Sequence, residues 1–249
     1  MSNDHSLATR ASDVVASALK GTLGAIPFIG SAVAEVIEYV IPNQRIDRLT
    51  DFAKKLSEKV SAQERLLVQK RLLEPEGTDI LEEALWQSAR TISEERRLHI
   101  ASLVKNGITK DQIDLVETKK LLLILSQLND LEVILLRWHA DRLHKDKEFE
   151  EKFKDIIRPV QAYLRAPQEV LDKAAISESL RHHLAELGLL KPTFPFVRRG
   201  EIPEFDTSLG TFKNSGYHVT LLGRLLLRSI DFHPEDPRKE ETKPETELA

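Results

Sequence analysis

From Pro42 onward, Ile46, Leu49, Ala53, Leu56 and Val60 recur at alternating spacings of three and four, with lysines, arginines and acids between them. That spacing keeps one side of a helix apolar, so a long amphipathic helix is predicted. The stripe suits burial inside its own bundle and pairing with a second copy equally well. Ser61 with Glu64 three residues on has the form of a capping box, which predicts a break or a bend before Leu67. The segment closes at EPEG, residues 74–77, where Pro75 disfavours helix at the residue before it and Gly77 supplies turn freedom.

Helices follow in quick succession. Asp79 with Glu82 is predicted to start one carrying Ile80, Leu81, Ala84, Leu85 and Ala89. Thr91 with Glu94 caps another through Ile100, Leu103 and Val104, stopped by Asn106-Gly107. Thr109 with Gln112 opens a third that runs into KKLLLILSQL, whose unbroken apolar run means burial on most sides. Asn129 with Glu132 caps LEVILLRWHADRLHK, again core by composition. Beyond Lys145 the chain is strongly charged, and Phe149, Phe153, Ile156 and Ile157 form the inward stripe of a surface helix ended by Pro159 and Pro167.

The last third is organised differently. A short helix, ISESLRHHLAEL, ends at Gly188; a proline- and aromatic-rich segment follows, and YHVTLLGRLLLRSI closes. A helix ending in LAELGLL, an irregular stretch able to form a two-stranded wing and a closing helix capped by Thr220 resemble the winged-helix module. Val197 and the segment from Tyr217 to Thr220 are the candidate wing strands.

The front of the chain stands apart. KGTLGAIPFIGSAVAEV, residues 20–36, holds fourteen consecutive uncharged residues between Lys20 and Glu35. Fourteen is fewer than the roughly 20 a bilayer-spanning helix needs, and Pro27 interrupts the run. Two shorter helices meeting at Ile26-Pro27 are predicted, with Gly21, Gly24, Ile26, Pro27, Phe28, Ile29, Gly30 and Val33 as a candidate element for close packing or for a membrane. In a bilayer it would have to oligomerise, because every backbone group must be satisfied there and Glu35 and Glu38 need a lumen or the interface.

Composition narrows the function. Few glycines and 6% aromatic residues argue against a β-sandwich or propeller, leaving a mostly α fold. The absence of cysteine removes disulfides, thiolate metal sites and thiol nucleophiles, and agrees with a reducing compartment. The polar N-terminus lacks a basic start and hydrophobic core of the secretory kind, so a cytoplasmic location is expected. The formal charge of −4 is carried by the tail from Asp231 onward, with seven acids and three bases, so the body is close to neutral and shows no basic footprint for nucleic acid.

Gly30 is followed by Ser31 and Ala32, so the glycines do not make a phosphate loop, and neither a GxGxxG nor a Gly-x-Ser-x-Gly elbow occurs. His139 and His144 are five apart, not the four that places two histidines on one helix face for a metal. No catalytic, metal, cofactor or small-molecule site is expected, and the chain reads as a non-enzyme. For DNA, the presumptive recognition helix offers Arg181, His182 and His183 and the wing offers Arg198, Arg199 and Lys213, opposed by Glu178 and Glu186.

The fold class read here is mostly α: a helical bundle at 1–115, a winged-helix-like domain with a helical insertion and short β wing at 116–232, and a disordered acidic tail at 233–249. The run of IPFIGSAVAEVIEYVIPNQRIDRLTDFAKKL, ILEEALWQSARTISEERRLHIASLVKNGI, KLLLILSQLNDLEVILLRW and the final LRHHLAELGLL with VTLLGRLLLRSI resembles bacterial abortive-infection proteins of the Abi-alpha type, over about residues 20 to 230. The glycine-punctuated front resembles the membrane-perforating HeLo- and Bell-type domains. The resemblance implies a non-enzymatic effector or interaction module in antiphage defence, acting through a protein partner or self-association. It also implies action at the inner membrane through residues 14–41, on a trigger or partner that overcomes Glu35 and Glu38, and it carries over no catalytic residue. The alternative is a winged-helix transcriptional regulator whose N-terminal bundle dimerises or senses a ligand.

Overall fold

The computed structural model describes residues 45–110, 114–141, 146–158, 163, 165–197, 200–206 and 211–234. The candidate element from Gly21 to Val33 and the tail from 235 onward lie outside these residues. The described chain is mostly helical, with ten helices and two two-stranded antiparallel sheets. It divides into two compact units, the first running to Asp130 and including Ser229–Asp231, the second comprising Leu131–Arg228 and the residues from Phe232.

The first unit is a bundle of α1 (Ile46–Lys59), α2 (Arg65–Leu72), α3 (Pro75–Arg90), α4 (Glu94–Ile108) and α5 (Leu115–Gln127). The α1 stripe is filled from within its own unit: Leu49, Phe52, Ala53 and Leu56 are buried, and α1 packs on α3 and α4. The open question of whether that stripe faces its own bundle or a second copy is settled for the bundle. Helix α4 sits centrally against α1, α2, α3 and α5 and buries even Arg96, Arg97 and His99. The two guanidiniums are engaged rather than orphaned, as buried cations must be. Arg96 donates to Asp130 Oδ1 at 3.1 Å and to the Leu125 carbonyl, and Arg97 donates to Asp51 and to the Thr91 and Ile92 carbonyls.

A break does occur between α1 and α2. The Ser61 backbone N–H and hydroxyl donate to Glu64 Oε2 at 3.0 and 2.7 Å, and Lys105 Nζ approaches the other carboxylate oxygen at 3.0 Å. Those bonds from Ser61, with Lys105 second, pull the Glu64 carboxyl from its ordinary 4.5 down to about 2. A carboxyl depressed by folding adds stability above its unfolded pKa and loses it as pH falls through the folded value. Glu64→Gln is therefore expected to cost about 1 kcal/mol at neutral pH. In urea unfolding the gap from wild type should close as pH falls from 4.5 towards 2.

Several boundaries differ from the sequence reading: Ser93 rather than Thr91 caps α4, its side chain accepting from the Arg96 N–H, and Asp114 rather than Thr109 caps α5, accepting from the Glu117 N–H. Helix α3 begins at Pro75, four residues before Asp79, because proline is accepted at the first helical position, where its missing N–H is not needed. Gly77 lies inside that first turn and supplies room rather than turn freedom: a Cβ there would stand 1.8 Å from the Arg71 carbonyl oxygen. Gly107 does not stop α4, which continues to Ile108, with Gly107 packed against Thr118 of α5. The units also divide at Asp130 rather than near 115, since α5 packs on α3 and α4 and so belongs with the bundle.

The second unit contains α6 (Asp130–Ala140, from Leu131), α7 (Lys147–Lys152), α8 (Lys154–Ile157), α9 (Gln168–Glu186), β1 (Leu190–Thr193), β2 (Phe205–Asp206), β3 (Thr211–Phe212), β4 (Gly216–Val219) and α10 (Leu221–Ser229, to Arg228). Its core is built from Leu135, Leu136, Leu184, Leu189, Leu226 and Leu227, all fully buried. The Arg137 guanidinium lies 3.8 Å from the Phe149 ring centre and donates to Asp146 Oδ2 at 2.6 Å, while Asp146 Oδ1 caps α7 through the Phe149 N–H. Gly188, at φ +71°, ends α9 with a Leu189 N–H to Leu184 carbonyl bond, the Schellman geometry that favours glycine. Gly223 in α10 lies so close to the Leu189 carbonyl that a Cβ would stand 2.5 Å from it.

Candidate functional site

The elements from α9 to α10 form the most distinctive surface of the second unit. Strand β1 pairs antiparallel with β4, Leu190 opposite Val219 and Thr193 opposite Gly216. Thr220 Oγ1 donates to the Gly188 carbonyl and accepts from the Gly223 N–H at 3.0 Å, capping α10 as the sequence predicts. Between β1 and β4 the chain makes an excursion from 194 to 215 that contains a second ladder, β2 with β3, in which Phe205 opposes Phe212. Val197 lies outside both ladders: the outgoing strand is Leu190–Thr193, directly after the α9 cap, where Leu189 and Leu190 anchor it in the core.

Helix α9 begins at Gln168, eight residues before the predicted Ile176, and none of its residues from 168 to 180 is buried. Its inner face starts at Arg181 and Leu184. Arg181 therefore points inward. One guanidinium nitrogen donates to the Ser177 carbonyl and hydroxyl, both at 2.7 Å, and the other to the Ile157 carbonyl at 2.9 Å. Burial holds its pKa below the usual arginine value. The reason is the helical period: Ser177, Arg181 and Leu184 share the face turned to the core. Next to it His182 is half-buried, and its Nε2 is closed off from solvent without a hydrogen-bond partner. His183 Nδ1 meets Oε1 of the buried Glu132 at 2.7 Å, so the imidazole joins α9 to α6 and satisfies a carboxylate that would be costly to bury alone.

The side of α9 left to solvent is acidic. Glu169, Asp172, Glu178 and Glu186 are exposed, and the one exposed lysine of the helix, Lys173, is paired with Glu169 at 2.7 Å. In the excursion between β1 and β4, Lys213 Nζ reaches both Glu204 oxygens at 3.1 and 3.2 Å. Arg198 and Arg199 lie outside the described residues. Of the positions chosen for nucleic acid that are described, Arg181 is a buried strut, His182 is half-buried and Lys213 is held in an ion pair.

What the sequence reading passed over is apolar. Phe194, Phe196, Ile202, Phe205 and Phe212 all sit on the 194–215 excursion and are exposed by 53%, 91%, 91%, 53% and 48%. The rings of Phe205 and Phe212 meet edge to face, with centres 5.8 Å apart. The signal was present in TFPFVRRGEIPEF, where aromatic residues lie between prolines and charges without the period of a buried strand. Among the described residues no three His, Asp or Glu side chains converge as a metal-binding group, and no helix is long and apolar enough to cross a membrane. Comparison with protein-family models, with curated proteins and with solved structures gives no match to the chain.

Proposed function

We propose that this protein is a non-enzymatic interaction or effector protein of antiphage defence, and that its C-terminal unit is a winged-helix-like module that contacts protein. The order helix, strand, long excursion, strand, helix supports the winged-helix assignment. The observation that carries the choice of protein over nucleic acid is the outward face of α9, where four exposed acids stand where a recognition helix would meet phosphate, while Arg181 is spent inside. The abortive-infection resemblance supports the defence role, with the apolar front at 14–41 as its membrane-directed part and the cytoplasm as its resting location.

The second reading, a DNA-binding regulator, draws on the same order of elements and rests on Arg198, Arg199 and Lys213. One experiment weighs both. Cells expressing the full chain are challenged with a phage panel, and the purified chain is titrated onto fluorescent duplex DNA at low salt. Reduced plating with no salt-dependent rise in anisotropy is expected. Unchanged plating with tight binding that weakens steeply as salt is added would replace the first reading with the second.

A further inference from the structure

We infer that Ser229–Asp231 is a latch of the first unit, a strap that opens while the helices of the bundle stay folded, and that the Asp231 carboxylate is its catch. The three residues belong to the first unit although its helices end far earlier in the chain, and the side chains that hold them are distant in sequence. Lys59 Nζ, 172 residues away, donates to Asp231 Oδ2 at 3.0 Å. Asn106 Nδ2 donates to Asp231 Oδ1 at 2.8 Å and to the Ser229 carbonyl at 3.0 Å, so both of its amide hydrogens are spent on the strap. Between these two anchored residues Ile230 is buried.

Backbone strain points to the carboxylate as the reason for this arrangement. Asp231 stands at φ +54°, in the left-handed region. The Phe232 N–H donates to the Leu227 carbonyl at 2.8 Å, which makes this the same turn with which Gly188 ends α9. At Gly188 the left-handed residue is a glycine, and a Cβ there would meet nothing within 4 Å. At Asp231 a side chain is carried where glycine is the relaxed choice, and strain of this kind persists only where the surrounding structure holds it. What holds it is the pair of bonds from Lys59 and Asn106. Opening the strap therefore releases strain. It also gives up few buried contacts, since Ile230 is the one buried residue of the three and the Asp231 side chain is 45% exposed. Segments built in this way open at the low end of a fold's stability range. The helices, by contrast, share Leu49, Phe52, Leu56, Ile80 and Leu85, all fully buried.

Amide hydrogen exchange of the full chain at neutral pH, read by mass spectrometry on peptides from α4 and from 227–234, tests the latch. Asp231→Gly is the decisive variant, because it relaxes the turn and removes the catch at once. A turn that merely ends α10 would gain protection from the glycine, whereas a latch loses it, with the amides at 230–232 exchanging faster by about fivefold. Lys59→Met keeps the aliphatic stem and removes the ammonium, and is expected to speed the same amides by about tenfold. In both variants the α4 peptides should exchange within about twofold of wild type, which also reports that the bundle is folded. Protection at 230–232 that is unchanged or stronger in Asp231→Gly overturns the inference, as does a strap indifferent to Lys59→Met. It is equally overturned if either variant speeds α4 and the strap by the same factor, since the three residues would then be part of the core and not a latch on it.

Discussion

Arg181→Ala is expected to destabilise the C-terminal unit by about 3 kcal/mol, and to do so whether or not the protein ever meets nucleic acid. The substitution removes the donor to the Ile157 carbonyl and both donations to Ser177, leaving a buried backbone acceptor without its partner. It also deletes an aliphatic stem packed against the core. Arg181→Met restores most of that packing without the charge, so the difference between the two variants isolates the hydrogen-bond contribution. The chain contains two tryptophans, Trp86 on α3 and Trp138 on α6, one in each unit. In a Trp86→Phe background the fluorescence of Trp138 follows the second unit by itself. Urea titrations read this way should show a lower midpoint for Arg181→Ala and an intermediate one for Arg181→Met. An unchanged midpoint in both would mean that the arginine is not the strut described here. The result also governs how DNA-binding experiments are read, because loss of retention on Arg181→Ala would then report a lost fold rather than a lost phosphate contact.

That case shows where sequence reasoning holds and where it stops. Periodicity places Leu49, Ala53 and Leu56 on one face of α1, and the structure buries that face, with Phe52 joining it, against helices of the same unit. The Ser61–Glu64 and Thr220 caps are also legible, being local hydrogen bonds between residues three apart. Close approach is not local. Nothing near Gly77 announces that the Arg71 carbonyl lies against it, and nothing in ESLRHHL tells a phosphate-seeking arginine from one that satisfies the carbonyl of Ile157 in another helix. The inward turn of Arg181 follows from the face it shares with Ser177 and Leu184, and nothing in the local sequence says that this face of α9 is the one that meets the core. The exposed phenylalanines were missed for the opposite reason: apolar residues are assigned inward by default, and the excursion has too few partners to bury them.

Acidification should expose a second buried group, and the expected loss is again about 3 kcal/mol. His99 lies on the central helix α4, where burial first, and the nearby Arg96 guanidinium second, bring its pKa from the ordinary 6.5 down to about 4. The imidazole is therefore neutral in the fold at pH 5, while the unfolded chain takes up a proton below 6.5. For a base depressed by folding the stability is fully present above the unfolded pKa and is lost as pH falls through the folded one, so the window runs from 6.5 to 4. A displacement of that size corresponds to roughly 3 kcal/mol once pH is below both values. The carboxylates of Asp51 and Asp231 are held below their ordinary 3.8, and their losses belong to a more acid range. Stability measured by urea unfolding should thus fall between pH 7 and 4, and His99→Gln, which cannot take up the proton, should flatten that descent even if it lowers stability at pH 7. A variant with the wild-type slope would place the titrating group elsewhere. Because His99 stands in the helix against which α1, α2, α3 and α5 all pack, its protonation in the native fold charges the centre of the bundle, which is why the folded chain takes up the proton only near pH 4 while the unfolded chain takes it up below 6.5.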